Sequence, residues 1–294
     1  MTTGLTLDLH DAFRSLRRVP GHAAAVLLTL ALAVGATAAI FAVVWTALVG
    51  ALPFAEPDRL ITIWETNPVR GWRQAPASPA NLFDWRSRAT TLESVAGFTD
   101  FYEQQVVTAP GEPTPVNTMS VAGDLFGVLG TKPLLGRAPR DEETFAGGEP
   151  VALLSYRFWQ LRFAGDPGVV GRRVEIDRVP VTIVGVMPER FTLWSDETDL
   201  WRPFGWAPET KARVSFRQAH YVRAVARLAP GATLESARAE LASIAAELER
   251  EFPATNTDMG VGMAPLRDWL VGDLRRPLLV LFAAVSLVLL VGCA

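Results

Sequence analysis

Three histidines, one cysteine and a single run of carboxylates are the residues of this 294-residue chain whose types could do chemistry. Metal ligation and nucleophilic catalysis both need such groups to converge. His10, His22 and His220 lack ligand spacing. Cys293 has no second cysteine with which to form an internal disulfide and no histidine at catalytic spacing. Asp141-Glu142-Glu143 has the composition of a calcium or acid/base site, but adjacent carboxylates diverge and no further oxygen-ligand pattern follows, so a solvated loop is expected. No G-x-x-x-x-G-K-[ST] loop is present, so the chain does not bind nucleotide in the P-loop manner and is not itself an ATPase. G-x-S-x-G and H-E-x-x-H are absent too. No catalytic, metal-binding or cofactor-binding residue is assigned, no cofactor is expected, and an enzyme is the least favoured reading. Trp64, Trp72, Trp85, Trp159, Trp194, Trp201, Trp206 and Trp269 fall between the two apolar stretches. They suit core packing and membrane-interface anchoring, or the wall of a groove for an apolar ligand.

The elements around these residues are set by hydropathy. Residues 23–49 hold no charged side chain, and twenty-seven residues make about 40 Å of helix against a hydrocarbon core of about 30 Å. A membrane-spanning helix is expected; a cleaved signal peptide is the competing reading, but its apolar region is only about 7–15 residues long. Residues 277–294 form a second apolar stretch at the lower length limit for a span, with a buried core helix as the alternative. Ala31, Gly35 and Ala39 recur every four residues and would let another helix approach closely. Residues 1–22 read as a cytoplasmic amphipathic segment. Leu9, Ala12, Phe13 and Leu16 share one face of it, and both a membrane-surface anchor and contact with a cytoplasmic partner fit that pattern. Arg14, Arg17 and Arg18 hold that end inside, which places residues 50–276 outside; Arg275 and Arg276 pull weakly the other way.

Hydrophobic residues make up 49% and charged residues 20% of the chain, a split between lipid and water. Three basic and two acidic residues precede Ala23, which leaves twenty-five basic against twenty-nine acidic residues in the central segment. That mild acidity excludes nucleic acid as a partner, because phosphate binding needs clustered positive charge.

The central segment reads as α+β. Strand patterns cover 60–64, 115–121, 151–154 and 221–228, and 173–176 with 179–184 flank Asp177-Arg178 as a hairpin. Helical patterns follow Ser78-Pro79, cover 124–129 and 156–163, and run from Thr233 to about Phe252 with Leu234, Ala237, Leu241, Ile244, Ala245 and Leu248 on one stripe. Residues 69–79 and 138–150 are candidate surface loops. The segment is long enough for a real core, as two lobes of one domain or as two small domains.

Several longer runs carry a family resemblance. LRRVPGHAAAVLLTLALAVGATAAIFAVVWTALVGALPFAEPDRLITIWETNP, ASPANLFDWR at 77–86, DLFGVLGTKPLLGR at 124–137, LLSYRFWQLRFAGDPGVVGRRVEIDRVPVTIVGVMP at 153–188, RLAPGATLESARAEL at 227–241 and LVGDLRRPLLVLFAAVSLVLLVGCA at 270–294 occur in order. Together they resemble MacB-like ABC-transporter permeases, in particular the large duplicated permeases of Acidobacteria. The resemblance implies an α+β MacB-type periplasmic core domain at 50–276, flanked by transmembrane helices at 23–49 and 277–294. The second would open an FtsX-like region whose further helices lie beyond this sequence, so transport by this chain alone is not expected. It further implies an inner-membrane permease subunit, with the lipid bilayer, a separate ABC ATPase subunit and further permease helices or a second permease copy as partners. The periplasmic domain would couple ATP-driven motion to events outside, in export or mechanotransmission. A membrane-tethered binding module or a non-functional permease fragment is the alternative.

Overall fold

The computed structural model describes residues 20–48, 52–109, 111–193 and 195–293. Two compact units result: one made, among the described residues, by 20–48 and 271–293, the other by Leu52–Leu270. In the first unit, α1 (Pro20–Leu48) starts on a proline, which suits a first helical position because the missing N–H would be unpaired there anyway. The long helix at the carboxyl end of the chain, Leu266–Cys293, runs through Pro277. The apolar stretch at 277–294 is therefore not a separate element, as its composition suggested. Polar residues Arg267, Asp268, Asp273, Arg275 and Arg276 simply hide the preceding turns from a hydropathy reading. Phe41 and Phe282 bring the two helices together with ring centroids 6.1 Å apart. Thr29, Thr37 and Ser286 bond back to the carbonyl four residues earlier. Ala31, Gly35 and Ala39 are exposed, so among the described residues no helix covers the small-residue stripe. The amphipathic segment at 1–22 lies, up to residue 19, outside the described residues.

Within Leu52–Leu270 the chain forms β1 (Leu60–Asn67), β2 (Trp72–Ala75), α2 (Pro79–Arg88), β3 (Leu92–Phe98), β4 (Glu103–Ala109), β5 (Thr114–Ala122), α3 (Leu125–Leu129) and β6 (Leu135–Gly136). It continues with β7 (Val151–Leu154), α4 (Tyr156–Phe163), β8 (Arg173–Ile176), β9 (Val179–Val186) and β10 (Leu200–Pro203). The last part contains α5 (Val214–Gln218), β11 (Arg223–Leu228), α6 (Leu234–Glu251), α7 (Pro253–Asn256), β12 (Gly260–Pro265) and α8 (Leu266–Cys293). Local chemistry starts half of these helices. Ser78, Asp124 and Ser155 each accept a backbone N–H at the start of α2, α3 and α4, and Thr233 with Ser236 does so reciprocally at α6. Asp177 and Arg178, at φ 48° and 67°, make the two-residue turn between β8 and β9.

Strand order β12-β1-β11-β3, with α2 linking β1 to β3 and α6 linking β11 to β12, is a split β-α-β arrangement of ferredoxin type. Residues 99–222 are inserted between its second and third strands. In that insertion β4, β8, β9, β7, β10 and β5 pair in sequence until β10 meets β5, so six strands close into a ring. The two parts share β5 and form one sheet, which makes them lobes of one domain.

Alternation assigns the cores. Ile61, Ile63, Val95, Ala224 and Ala226 face α2 and α6, where Leu82, Trp85, Leu241, Ile244 and Leu248 meet them. Leu60, Ala96, Phe98 and Val225 face the other way, onto Leu125, Phe126, Leu129, Trp201 and Leu266. A third cluster fills the ring with Val107, Val116, Leu154, Phe158, Ile176 and Ile183. Gly97 is required where α2 crosses β3, because a Cβ there would lie 2.4 Å from Val222 Cγ1 and 2.8 Å from Leu82 Cδ2.

Glu240 fixes α6 to the start of β3. Its carboxylate accepts the backbone N–H of Thr90 and of Thr91, each at 2.8 Å, and both threonine hydroxyls. Desolvation opposes ionisation, but these four donors outweigh it and lower the carboxyl to about 2. Because the folded-state value is depressed, the stabilisation is complete above the unfolded value and is lost as pH falls through about 2. Glu240→Gln is expected to cost about 1 kcal/mol at neutral pH, a figure discounted for partial exposure. Chemical denaturation of the two proteins should show that difference shrinking below the ordinary carboxylate range and vanishing near pH 2.

Candidate functional site

Where the polypeptide enters and leaves the Leu52–Leu270 unit, its two ends are neighbours. β1 begins at Leu60 and β12 ends at Pro265, and Ile61 pairs with Pro265 in an antiparallel ladder that continues to Thr66 and Gly260. Phe54 on the incoming side and Leu266 on the outgoing side are buried in the same cluster, with Leu52, Trp269 and Leu270 packed against it. Both covalent links are therefore set in one core.

Arg227 holds the incoming link. On β11 it shares a face with Val225 and lies opposite Leu60, which puts its guanidinium, in a residue only 5% exposed, beneath residues 55–56. Nε and Nη2 donate to the carbonyl of Val128 at 3.0 and 2.8 Å, and Nη2 also donates to Ala55 O at 2.8 Å. Glu56 Oε2 lies 3.4 Å from Nη1. Val128 and Leu129 belong to the last turn of α3, whose carbonyls have no helical partner. Arg227 satisfies the first, and Ala55 N–H satisfies the second at 3.1 Å. Gly130 follows at φ 66°, where a Cβ would meet Ala55 Cβ at 2.5 Å. Arg59 adds a second tie, donating from Nε and Nη2 to Leu228 O at 3.0 and 2.6 Å, and pairing with Glu56 and Glu93.

A buried polar node stiffens the other end of β1. Glu65, 1% exposed, accepts Ser78 N–H at 3.1 Å and Asn81 Nδ2 at 2.7 Å, and its Oε2 is 2.5 Å from His220 Nδ1. Asn81 Oδ1 accepts in turn from Arg217 Nη1 at 2.6 Å and Asn256 Nδ2 at 3.1 Å. Arg217 also pairs with Asp84 at 2.6 Å and lies 3.8 Å over the Phe252 ring. Satisfied networks of this kind rigidify and specify a packing. This one joins β1, α2, α5 and α7.

The residues singled out by type take structural roles where they are described. His220 belongs to the Glu65 node, and His10 lies outside the described residues, as do the side chains of His22 and Cys293. Among the described residues no group of histidine, cysteine and carboxylates could hold a metal. The 141–143 run is tied down rather than simply solvated. Asp141 pairs with both terminal nitrogens of Arg86 at 2.6 and 2.5 Å, and its hydrogen bond raises the guanidinium above its ordinary value against desolvation. Burial works against ionising Glu143, but Arg137 and the Arg140 N–H outweigh it and lower the carboxyl. Trp85, Trp159 and Trp201 are core residues, and Trp206 joins Phe83, Phe145, Phe204, Phe216 and Tyr221 in an aromatic cluster. Trp194 lies outside the described residues. Sequence reasoning missed Arg227 and Glu65. Each interrupts an apolar strand on an inward-facing position, and that is the one signal either leaves.

Linked ends and a firm anchor are the geometry on which the comparison with known proteins bears. The profile of the MacB-like periplasmic core domain matches residues 23–244. The chain belongs to that family. A permease-protein domain from Porphyromonas gingivalis is similar in fold, with a TM-score of 0.54 at 18% identity over 72% of this chain and 92% of that one. The periplasmic region of MacB from Actinobacillus actinomycetemcomitans gives 0.48 at 13% identity over 71% of this chain and 89% of that one. The extracellular domain of the noncanonic ABC-type transporter YknZ from Gram-positive bacteria gives 0.47 at 12% identity over 69% of this chain and 99% of that one. No curated protein matches the chain. Leu52–Leu270 thus has the α+β fold of the periplasmic core domain of MacB-like permeases.

Replacing Arg227 with Met keeps length and apolar bulk but leaves the carbonyls of Val128 and Ala55 unsatisfied under the incoming segment. Urea unfolding of the full chain in detergent should show a loss of roughly 2–4 kcal/mol, whereas Arg178→Met, in an exposed turn, should stay within about 0.5 kcal/mol of the parent.

Proposed function

We infer that this protein is a permease subunit of an ABC-type export or mechanotransmission system, whose domain carries motion of its helices to the outer side of the membrane. The observation that supports this is the placement of both covalent links in one core, on paired strands. A domain whose two ends are fixed in one core can be displaced as a body, which is what a lever requires. No P-loop occurs in this sequence, and in this reading a separate ATPase subunit supplies the work.

Membrane crossing is part of the same reading. Among the described residues no helix meets the combined requirement of length and apolarity for a membrane span. Two features nonetheless favour a span for α1 and α8. Leu28, Leu32, Val34 and Phe41 on the first, and Val280, Leu281, Leu287 and Leu290 on the second, are between 47% and 69% exposed, a large apolar surface for water to face. The hydroxyls of Thr29, Thr37 and Ser286 bond within their own helices, as polar groups in hydrocarbon must. α1 has twenty-nine residues, about 44 Å of helix. Arg14, Arg17 and Arg18 favour a cytoplasmic amino terminus and an exported domain. The bilayer, a partner ATPase, and further permease helices or a second copy to cover the exposed stripe complete the assembly.

Topology is tested with single cysteines in a Cys293→Ser background. Glu112→Cys should react with a membrane-impermeant maleimide in intact spheroplasts, and Arg14→Cys only after lysis; the reverse pattern overturns the orientation. The chain purified from its own membranes should carry an ATP-hydrolysing subunit, and preparations of intact complex without any ATPase activity would contradict the coupling role.

A further inference from the structure

On the Leu52–Leu270 unit, α2, the 3-10 turn Pro208–Ala212, α5 and α7 surround two adjoining cavities of about 380 and 420 Å³. Ala80, Lys211 and Arg217 line both, so the two form one groove. Its walls are apolar: Phe83 and Phe216 on one side, Val214, Phe252 and Pro253 on the other, with Val214 62% exposed. Four cations and two carboxylates also line it. Arg86 is neutralised by Asp141, and Arg217 by Asp84, while Glu251 is bound to Arg88. Among the described residues, Lys211 and Arg213 have no carboxylate partner. The Lys211 ammonium lies 3.9 Å from the Phe145 ring centroid and 5.5 Å from that of Phe83, a contact that orients the charge without cancelling it.

An apolar groove with two uncompensated cations at its rim is complementary to a molecule with an apolar tail and an anionic head. We propose that this groove binds a monomeric single-chain amphiphile carrying a carboxylate, its tail between Phe83, Phe216 and Phe252 and its head on Lys211 and Arg213. The volumes fall among those of small-molecule sites. The node beneath the groove supplies a fixed floor, since Arg217 is bonded to Asn81 and Asp84 and stacked on Phe252. This binding is independent of any coupled ATPase.

The test uses the full chain in phosphatidylcholine nanodiscs and dodecanoate bearing a terminal diazirine. After illumination, peptide mass spectrometry should locate adducts at residues 79–88, 208–218 and 252–257. Lys211→Glu/Arg213→Glu alters only exposed side chains, and it should lower labelling of those peptides about tenfold while leaving adducts on α1 and α8 unchanged. The matching diazirine dodecanol should label the groove about tenfold less than the acid. Adducts confined to the long helices, equal labelling by acid and alcohol, or no change in the double variant would each overturn the proposal. So would groove labelling that arises only from a diazirine phosphatidylglycerol built into the disc, since that would make a bilayer headgroup the ligand.

Discussion

The rest of the structure depends on one buried guanidinium. Arg227 lies where three pieces of chain meet without shared secondary structure: the segment coming from α1, the end of α3 and the strand β11. Backbone carbonyls from two of those pieces point into a low-dielectric space, and only a group with several donors in a fixed fork can satisfy them together. Burying a charge there is costly unless its donors are used. Because several are, the incoming segment is bound to the sheet by directional bonds as well as by the apolar packing of Phe54. The outgoing link needs no such device. It is already a paired strand, and Leu266 simply continues into the same core.

This difference explains how an inserted lobe can be large without loosening the frame. The ferredoxin-type part, β12-β1-β11-β3, contains both links and lies between two clusters. The ring made from residues 99–222 has its own interior, but β5 belongs to both parts. A displacement of the frame is therefore passed to the ring through a continuous strand rather than through a flexible tether. The Glu65 node acts at the opposite end of β1, so this strand is fixed at both ends by side chains that the ladder itself does not require.

Much of the fold was legible in the sequence, and the failures have physical causes. Helices announced by a cap, such as those after Ser78, Asp124 and Thr233, were found close to their observed starts, because capping is local chemistry. The Asp177-Arg178 hairpin was found for the same reason. β12 was not, since GVGMAP has two glycines and a proline, and it is a strand only because β1 offers a partner along six positions. β3, β4 and β10 were also missed: LESVAGF and EQQVVTA alternate weakly, and LWRP is too short to show a period. Residues 69–79 have the composition of a loop although β2 lies within them, a four-residue strand paired irregularly with β1. As for the anchor and the node, His220 and Glu65 are 155 positions apart, and Arg227 and Ala55 are 172 apart. Nothing local signals either partnership; only the fold brings them together.

The central claim is that incoming and outgoing links are parts of one rigid core. Native-state hydrogen exchange on the full chain in nanodiscs measures this directly. The amides of Ala55, bonded to Leu129 O, and of β12, bonded to β1, should exchange as slowly as those at the centre of β11. All three should also respond together to added denaturant, as one cooperative unit. If Ala55 and its neighbours exchange orders of magnitude faster than β11, the incoming segment is a hinge, and the rigid-lever account is wrong.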